Sequence, residues 1–182
     1  PGTVQRVSTR DILAWARFVT LIRPQNEFDL YRFLIDGAFM IFLDGIGTGT
    51  STNNWSDAAD QFRHDALTYL VALCPTRLQS DLLAKFSQVP EPISISKSAS
   101  QDISIVTNGL FSIPCGPFIN SSLDKNHYAL GSTNTRLNMA RLLRALQLKR
   151  PVLLEGSPGV GKSSIVATLA QLSGNQLVRI NL

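Results

Sequence analysis

The stretch at positions 156–163 constrains the fold of this chain more than any other. It reads Gly-Ser-Pro-Gly-Val-Gly-Lys-Ser and matches the phosphate-binding pattern Gly-x-x-x-x-Gly-Lys-[Ser/Thr] at every fixed position. An apolar run at 151–154 precedes it, and a segment with helical character follows at 164–170. The pattern therefore predicts a loop between a buried strand and a helix, as in a P-loop α/β domain.

Each residue type in this loop has a predicted role. Glycines let successive backbone N–H groups converge on phosphate oxygens at the positive end of a helix. Lys162 is predicted to contact the β- and γ-phosphates, Ser163 to bind Mg²⁺ through its hydroxyl, and Ser164 to make a further phosphate contact. The predicted nucleotide-binding residues are Gly156, Ser157, Pro158, Gly159, Val160, Gly161, Lys162, Ser163 and Ser164. A glycine-rich turn with a chance lysine is the alternative, and the flanking segments disfavour it.

Hydrolysis requires more than this loop. A P-loop ATPase also needs an acidic residue at the end of a second strand to hold Mg²⁺, and a group that orients the attacking water. No Asp or Glu follows Glu155, and one further strand is predicted at 176–180 before Leu182. We therefore assign no catalytic residue here. We expect either a piece of a longer protein or a chain that is not a complete ATPase.

Composition and charge are those of a globular protein, with 44% apolar and 16% charged residues and a net charge of +4. No apolar run approaches the ~18 residues of a membrane span, and no secretion signal is present, so we expect an intracellular chain with no membrane partner. Cys74 and Cys115 lack the spacing of metal ligands. Basic residues cluster around one predicted helix, which a solvated helix face explains more simply than a nucleic-acid site. They are Arg136, Arg141, Arg144, Lys149 and Arg150.

The first half of the chain predicts four helices. Ser-x-x-Asp at 8–11 and Thr-x-x-Gln at 76–79 are typical of capping boxes, which open the first and fourth helices. The second is predicted from Glu27 to the glycine-rich stretch 45–49, and the third over 56–73. The third helix is expected to turn Ala59, Phe62, Ala66, Leu70 and Leu73 inward. Residues 1–87 are thus predicted to form a small helical domain.

The second half changes character after a Ser- and Pro-rich stretch at 88–100, which is predicted to be a linker. Apolar runs at 103–106 and 110–113 flank Asn108-Gly109, a strong hairpin signal. A helix predicted at 135–148 leads into the run before the P-loop. Residues 101–182 are therefore predicted to be an α/β unit with a small β-hairpin.

Several other residues invite a functional interpretation that the pattern does not favour. The run 40–44 ends in Asp44, as a Mg²⁺-binding strand would, but it precedes the P-loop and continues a helical pattern. His64 and His127 stand alone, so a metal role is disfavoured for both. Trp15 and Trp55 are interpreted as packing residues.

Two groups of segments resemble a known family. The run 137–163, followed by 177–182, resembles the start of an AAA+ module in the midasin family of dynein-related ATPases. Upstream, 8–15 and 37–47 resemble the helical lid of the preceding module. The resemblance implies that 1–87 is the lid of one module, 88–100 a linker, and 101–182 the N-terminal part of the next nucleotide-binding domain.

The resemblance also implies a function. Arg10 matches the sensor-2 arginine of AAA+ lids, which contacts the nucleotide of its own, preceding module. The implied cofactors are ATP and Mg²⁺, and the implied partners are neighbouring AAA+ modules of the same chain. Members of the family remove assembly factors from the pre-60S ribosomal particle in the nucleus, in both nucleolus and nucleoplasm, which implies that particle as a partner and no direct nucleic-acid site.

Three alternatives stay open at this point. A nucleotide-binding module that does not hydrolyse would carry the same loop. A MoxR-like AAA+ chaperone ATPase shares the P-loop and lid signals, but would not place a lid ahead of the P-loop. A stand-alone P-loop kinase or GTPase is weakened by the helical first half.

Overall fold

A computed structural model describes residues 7–46, 54–97, 104–118 and 130–180 and divides the chain after Gln88. Unit 1 comprises residues 1–88 and unit 2 residues 89–182. His127, Ile103 and the glycines at 47 and 49 lie outside the described residues, as does the side chain of Trp55. Within the described ranges, no helix is both long and apolar enough to cross a membrane.

Unit 1 is helical, and its four predicted helices are confirmed. They are α1 (Thr9–Ile22), α2 (Glu27–Ala38), α3 (Asn54–Ala72) and α4 (Thr76–Ser87). A π-helix over Phe39–Leu43 extends α2 without a break. Because this run is helical, the strand interpretation of the residues before Asp44 is wrong, and the helical one is confirmed.

The first capping box is present as predicted. Ser8 Oγ accepts a hydrogen bond from the Asp11 N–H at 3.3 Å, and Asp11 Oδ2 accepts one from the Ser8 N–H at 2.9 Å. Two N–H groups that the helix itself cannot satisfy are thereby paired. At its other end α1 stops at Arg23, whose left-handed backbone (φ 53°) precedes Pro24.

Asp11 is expected to titrate below its ordinary range, because hydrogen bonds from the Ser8 side chain and backbone lower its pKa. A carboxyl whose pKa is lowered by folding contributes stability above its unfolded pKa, and this contribution is lost as the pH falls through the lowered value. Ser8→Ala should therefore raise the pKa of Asp11 in an NMR titration of its carboxyl carbon. Ser87→Ala, an exposed serine on α4, is the control; equal Asp11 pKa values in the two variants would contradict the assignment.

The second predicted capping box is wrong. Pro75 occupies the N-cap position of α4 and offers no side-chain hydrogen bond. Thr76 is already helical, and the Gln79 amide donates instead to the Cys74 carbonyl at 2.8 Å. Proline fits this place because its fixed φ suits the residues at a helix start and its missing N–H would have had no helical partner.

One core cluster of unit 1 lies between α2, α3 and α4. Ile35, Val71, Cys74 and Leu82 are buried together there. The predicted inward face of α3 is confirmed in part: Ala59 is buried and Leu70 packs against this cluster, but Phe62 is 52% and Leu73 is 66% exposed. Several sets of apolar residues on this helix have helical spacing, and only the position of the neighbouring helices selects one.

Helices α1 and α2 approach each other closely at Gly37. The Trp15 indole N–H donates to the Leu34 carbonyl at 2.8 Å, and the Trp15 ring meets Phe42 edge to face. The packing role predicted for Trp15 is thereby confirmed. A Cβ atom at Gly37 would lie 2.6 Å from Trp15 Cδ1 and 2.9 Å from Phe18 Cδ1.

Gly37→Ala is expected to destabilise unit 1 even though alanine is the better helix former. The propensity gain is about 1 kcal/mol, whereas overpacking a filled site costs about 1–3 kcal/mol, so a net loss is expected. Chemical denaturation followed by tryptophan fluorescence measures it, because both tryptophans of the chain lie in unit 1. Gly45→Ala is the matched control, because a Cβ there meets nothing within 4 Å. Equal denaturation midpoints for Gly37→Ala and Gly45→Ala would contradict the close contact of Gly37 with Trp15 and Phe18.

Arg63 of α3 holds the turn that follows the π-helix. Its guanidinium donates to the carbonyls of Leu43 and Ile46 and forms an ion pair with Asp60 at 2.7 Å. Leu43 is the last residue of the π-helix and Ile46 lies in the turn after it, where carbonyls lack further helical N–H partners. The interaction ties α3 to the end of the α2 extension.

Unit 2 contains a small antiparallel sheet in the order β1-β2-β3. Its strands are β1 (Ser94–Lys97), β2 (Ser104–Thr107) and β3 (Ser112–Pro114). Val106 is fully buried and lies opposite Ile95 on one side and Ile113 on the other. Strand β1 falls inside the predicted linker, so that stretch is not wholly without regular structure. Residues 93–96 read Ile-Ser-Ile-Ser, which is the alternation of a strand, but the Ser- and Pro-rich composition around them favoured a linker.

The predicted hairpin is present with a longer turn than expected. Four residues, 108–111, separate β2 from β3, and the Asn108 side chain accepts hydrogen bonds from the N–H groups of Leu110 and Phe111. Gly109 has a positive φ of 84°. The Asn-Gly signal thus located the hairpin, whereas the Asn108 side chain sets its loop length.

The remaining helices of unit 2 are α5 (Thr133–Leu146) and α6 (Lys162–Ser173). Met139, Leu142 and Leu143 of α5 are buried. Arg144 is buried as well, and Arg136 donates to the Pro90 carbonyl at 2.7 Å. The basic cluster is therefore not simply a solvated helix face, since Arg144 is buried and Arg136 is hydrogen-bonded to the backbone of another segment.

Candidate nucleotide-binding site

Three positions in the loop at 156–161 have a backbone conformation that only glycine adopts without strain. Gly156, Gly159 and Gly161 have φ values of 149°, 82° and 86°. Any other residue at these positions would strain the backbone. At Gly156 a Cβ would also lie 3.2 Å from Val160 Cγ2. The three glycines of the motif are therefore required by the shape of the loop itself.

Lys162 lies at the junction of this loop and α6. Its Nζ donates hydrogen bonds to the carbonyls of Gly156 and Ser157, each at 2.8 Å. The side chain thus folds back over the loop and places its positive charge at the loop's opening residues. An ammonium group in this position favours an anion on the same side of the loop.

Helix α6 begins without a side-chain cap. Gly161 is its N-cap residue, and Ser163 and Ser164 of the first turn are exposed. The first N–H groups of a helix have no partner within the helix and carry its positive dipole end, so they suit an oxyanion. The loop, the ammonium and this helix start together form a site that can bind phosphate chemically.

The apolar face of α6 packs inward. Ile165 and Leu169 are buried, and Gly174 ends the helix in the left-handed conformation (φ 64°), which is typical of a C-cap glycine. The helix predicted after the motif is therefore confirmed.

The strands predicted around the loop are wrong for the described residues. The segment 151–157 pairs with no strand there, and neither does 176–180. Leu153 is 80% exposed and Ile180 is 78% exposed. A strand buried on both faces needs neighbours on each side, and the described part of the chain places none beside these two runs.

The other candidate residues lie apart from the loop along the chain. Arg10 is exposed in the first turn of α1, in unit 1. His64 is exposed on α3. No group of three His, Cys, Asp or Glu side chains that could hold a metal ion occurs among the described residues. The assignment of Mg²⁺ to Ser163 stays a prediction, as do the roles of Arg10 and of the loop residues.

The two cysteines are not paired with each other. Cys74 is buried in the core of unit 1 and donates to the Leu70 carbonyl, while Cys115 is half-buried in unit 2. Burial raises the pKa of both thiols. Both are therefore held in the protonated form, which is the less reactive one.

Comparison with known proteins gives the class first. The chain is 39% identical to the Lon protease of Azorhizobium caulinodans over 85 residues, which covers 40% of this chain and 10% of that protein. It is 28% identical to Lon protease 3 of Sorangium cellulosum over 138 residues, covering 68% of the chain and 17% of that protein. These similarities support the AAA+ ATPase class.

The particular family follows from two longer matches. The chain is 35% identical to midasin of Dictyostelium discoideum over 185 residues and 33% identical to midasin of Giardia intestinalis over 190 residues. These matches cover 97% and 100% of the chain, and the chain spans only 3% and 4% of those proteins. The chain belongs to the midasin family. No protein-family model and no solved structure matches it.

Proposed function

We propose that residues 156–164 bind the phosphates of ATP together with Mg²⁺. The observation that carries this proposal is the loop conformation, in which three positive-φ glycines and the Lys162 ammonium surround an uncapped helix start. In this arrangement the loop N–H groups hold the phosphates, Lys162 neutralises the β- and γ-phosphates, and Ser163 offers its hydroxyl to Mg²⁺. ATP and Mg²⁺ use is general among AAA+ relatives.

We propose further that the chain joins parts of two AAA+ modules. Residues 1–87 are the helical lid of one module, and residues 101–182 begin the nucleotide-binding domain of the next. The near-complete coverage by midasin relatives supports this reading, as does a helical unit preceding the P-loop. Arg10 then serves the nucleotide of the preceding module, and Lys162 serves that of the following one.

For the whole protein we propose an ATP-driven machine of the nucleus that removes assembly factors from pre-60S ribosomal particles. Support comes from membership of the midasin family. Nucleotide binding and hydrolysis at module interfaces change the angle between large domain and lid, and neighbouring modules transmit that motion to the substrate. The loop described here contributes nucleotide binding to this cycle.

A double-label experiment on the whole protein tests whether this site binds and hydrolyses ATP. The protein is incubated in the dark with 8-azido-ATP labelled at either the α- or the γ-phosphate, with Mg²⁺, and then irradiated. After proteolysis, label is measured on peptides from unit 2, with a Lys162→Ala protein as the control for site-specific labelling.

Three outcomes separate the readings. A hydrolysing site retains the α-label and loses the γ-label as the dark incubation lengthens, which is the expected result. Equal retention of both labels identifies a module that binds ATP without turning it over. Labelling of unit 2 that is unaffected by Lys162→Ala would reject the P-loop as the nucleotide site.

A further inference from the structure

The segment that follows β3 lies against the far end of α6. The Gly116 N–H donates to the Ser173 carbonyl at 2.7 Å, and the Phe118 N–H donates to the Gly174 carbonyl at 3.0 Å. The Asn175 amide completes the contact by donating to the Pro114 carbonyl at 3.4 Å and to Ser173 Oγ at 2.9 Å. We call this set of contacts the α6 clamp.

The α6 clamp satisfies groups that a helix leaves open. The last carbonyls of a helix have no partner within it. Here the Ser173 and Gly174 carbonyls accept N–H groups two residues apart in the 115–118 segment, and Ser173 is 1% exposed. Breaking the α6 clamp would therefore leave buried acceptors unpaired, which is costly.

At Gly116 of the α6 clamp a side chain has no room. A Cβ there would lie 2.4 Å from the Gly174 carbonyl oxygen and 2.5 Å from Asn175 Oδ1. The nearer of these is a backbone atom, which cannot rotate away as a side chain can. Any residue larger than glycine must push the end of α6 away from the sheet.

The other end of the same helix carries the phosphate-binding groups. Helix α6 has twelve residues, and a helix of that length is about 18 Å long and moves as a stiff body. Within the described residues, the segment before the loop pairs with no strand. The loop continues directly into α6, and the restraints on α6 among the described residues include its buried face and the α6 clamp.

We propose that the α6 clamp is a positioning element for the phosphate-binding loop. By fixing Ser173 and Gly174, it sets where α6 lies along its axis, and so where Lys162 and the first N–H groups of the helix meet a phosphate. Gly116 and Asn175 act through α6 and touch no nucleotide. This inference rests on the proposed nucleotide-binding function.

The test compares Gly116→Ala with Gly131→Ala in the 182-residue chain, because a Cβ at Gly131 meets nothing within 4 Å. Affinity for Mg²⁺-ATP is measured by calorimetry, and the backbone amide shifts of Gly161 and Lys162 are recorded by NMR without nucleotide. Gly116→Ala is expected to weaken affinity about tenfold, since small displacements of binding groups are costly, and to move both amide signals. Gly131→Ala should do neither.

The outcomes distinguish this inference from the function on which it rests. Failure of the unsubstituted chain to bind Mg²⁺-ATP counts against the proposed function, whereas the amide shifts still test the α6 clamp. A folded Gly116→Ala chain with unchanged affinity and unchanged amide signals overturns the inference. If Gly116→Ala does not fold, Asn175→Ala is the second test, because it removes the amide without introducing a clash. A severalfold loss of affinity for Mg²⁺-ATP would support the positioning role of the α6 clamp. Unchanged affinity would overturn it.

Discussion

Lys162→Ala is expected to weaken binding of Mg²⁺-ATP to the chain by about ten- to a hundredfold. Hydrogen bonds from a charged donor contribute about 1.5–3 kcal/mol, and each 1.4 kcal/mol is a factor of ten in affinity. The substitution removes the ammonium that lies over Gly156 and Ser157, and leaves the glycine backbone unchanged. Calorimetric titration with Mg²⁺-ATP measures the effect.

Lys85→Ala is the matched control for this experiment. Lys85 is an exposed lysine of α4 that contacts Gln88, so its loss changes the net charge by the same amount. It should leave the affinity unchanged. Equal affinities of the Lys162→Ala chain and the unsubstituted chain would show that the nucleotide does not bind at this loop. Tryptophan fluorescence checks that unit 1 is folded in both variants.

Leu82→Ala is expected to produce the largest loss of stability, about 2–5 kcal/mol in the free energy of unfolding of unit 1. Leu82 is 0% exposed and packs against Ile35, Val71 and Cys74, where the shortened side chain leaves a cavity. Urea denaturation followed by tryptophan fluorescence reports on unit 1 alone, since unit 2 contains no tryptophan.

Leu83→Ala is the control for the core assignment. Leu83 is the neighbouring residue on α4 and is 37% exposed, so it loses the same atoms from a partly hydrated position. It should cost clearly less than Leu82→Ala. A larger loss at position 83 than at 82 would mean that the buried face of α4 has been assigned incorrectly.

Local patterns predicted the helices of both units well. The capping box at Ser8, the proline at position 24 and the left-handed Gly174 each act within a few residues, so they can be read from neighbours in the chain. The motif at 156–163 likewise predicted the start of α6 and the glycines with positive φ. Such features depend on backbone sterics and nearby hydrogen bonds, which the local sequence contains.

Predictions that depend on distant neighbours were less accurate. Phe62 and Leu73 have helical spacing and were expected inside, yet they are exposed because α2 and α4 cover a different face of α3. The short strand β1 was not predicted, because the Ser- and Pro-rich stretch around it favoured a linker over the alternation at 93–96. Pairing with β2 makes that short alternating run a strand. The runs at 151–154 and 176–180 have the composition of strands, but strand formation requires a partner.

The same distinction applies to the candidate site. The identity of the loop and the role proposed for Lys162 follow from the motif alone, because the pattern that predicts phosphate binding comprises eight consecutive residues. The positioning role proposed for Gly116 and Asn175 could not be predicted from the sequence. Gly116 contacts the end of α6 and Asn175 contacts the end of β3, and each contact joins residues that are 55 or more positions apart.

The sequence by itself therefore determined the helical first half, the glycine-rich loop that is proposed to bind phosphate, and the family to which the chain belongs. Only the tertiary structure decided which faces are buried, which apolar runs pair as strands, and what holds the far end of α6. Short-range hydrogen bonds and backbone sterics are specified by adjacent residues, whereas burial and strand pairing depend on residues brought together by folding.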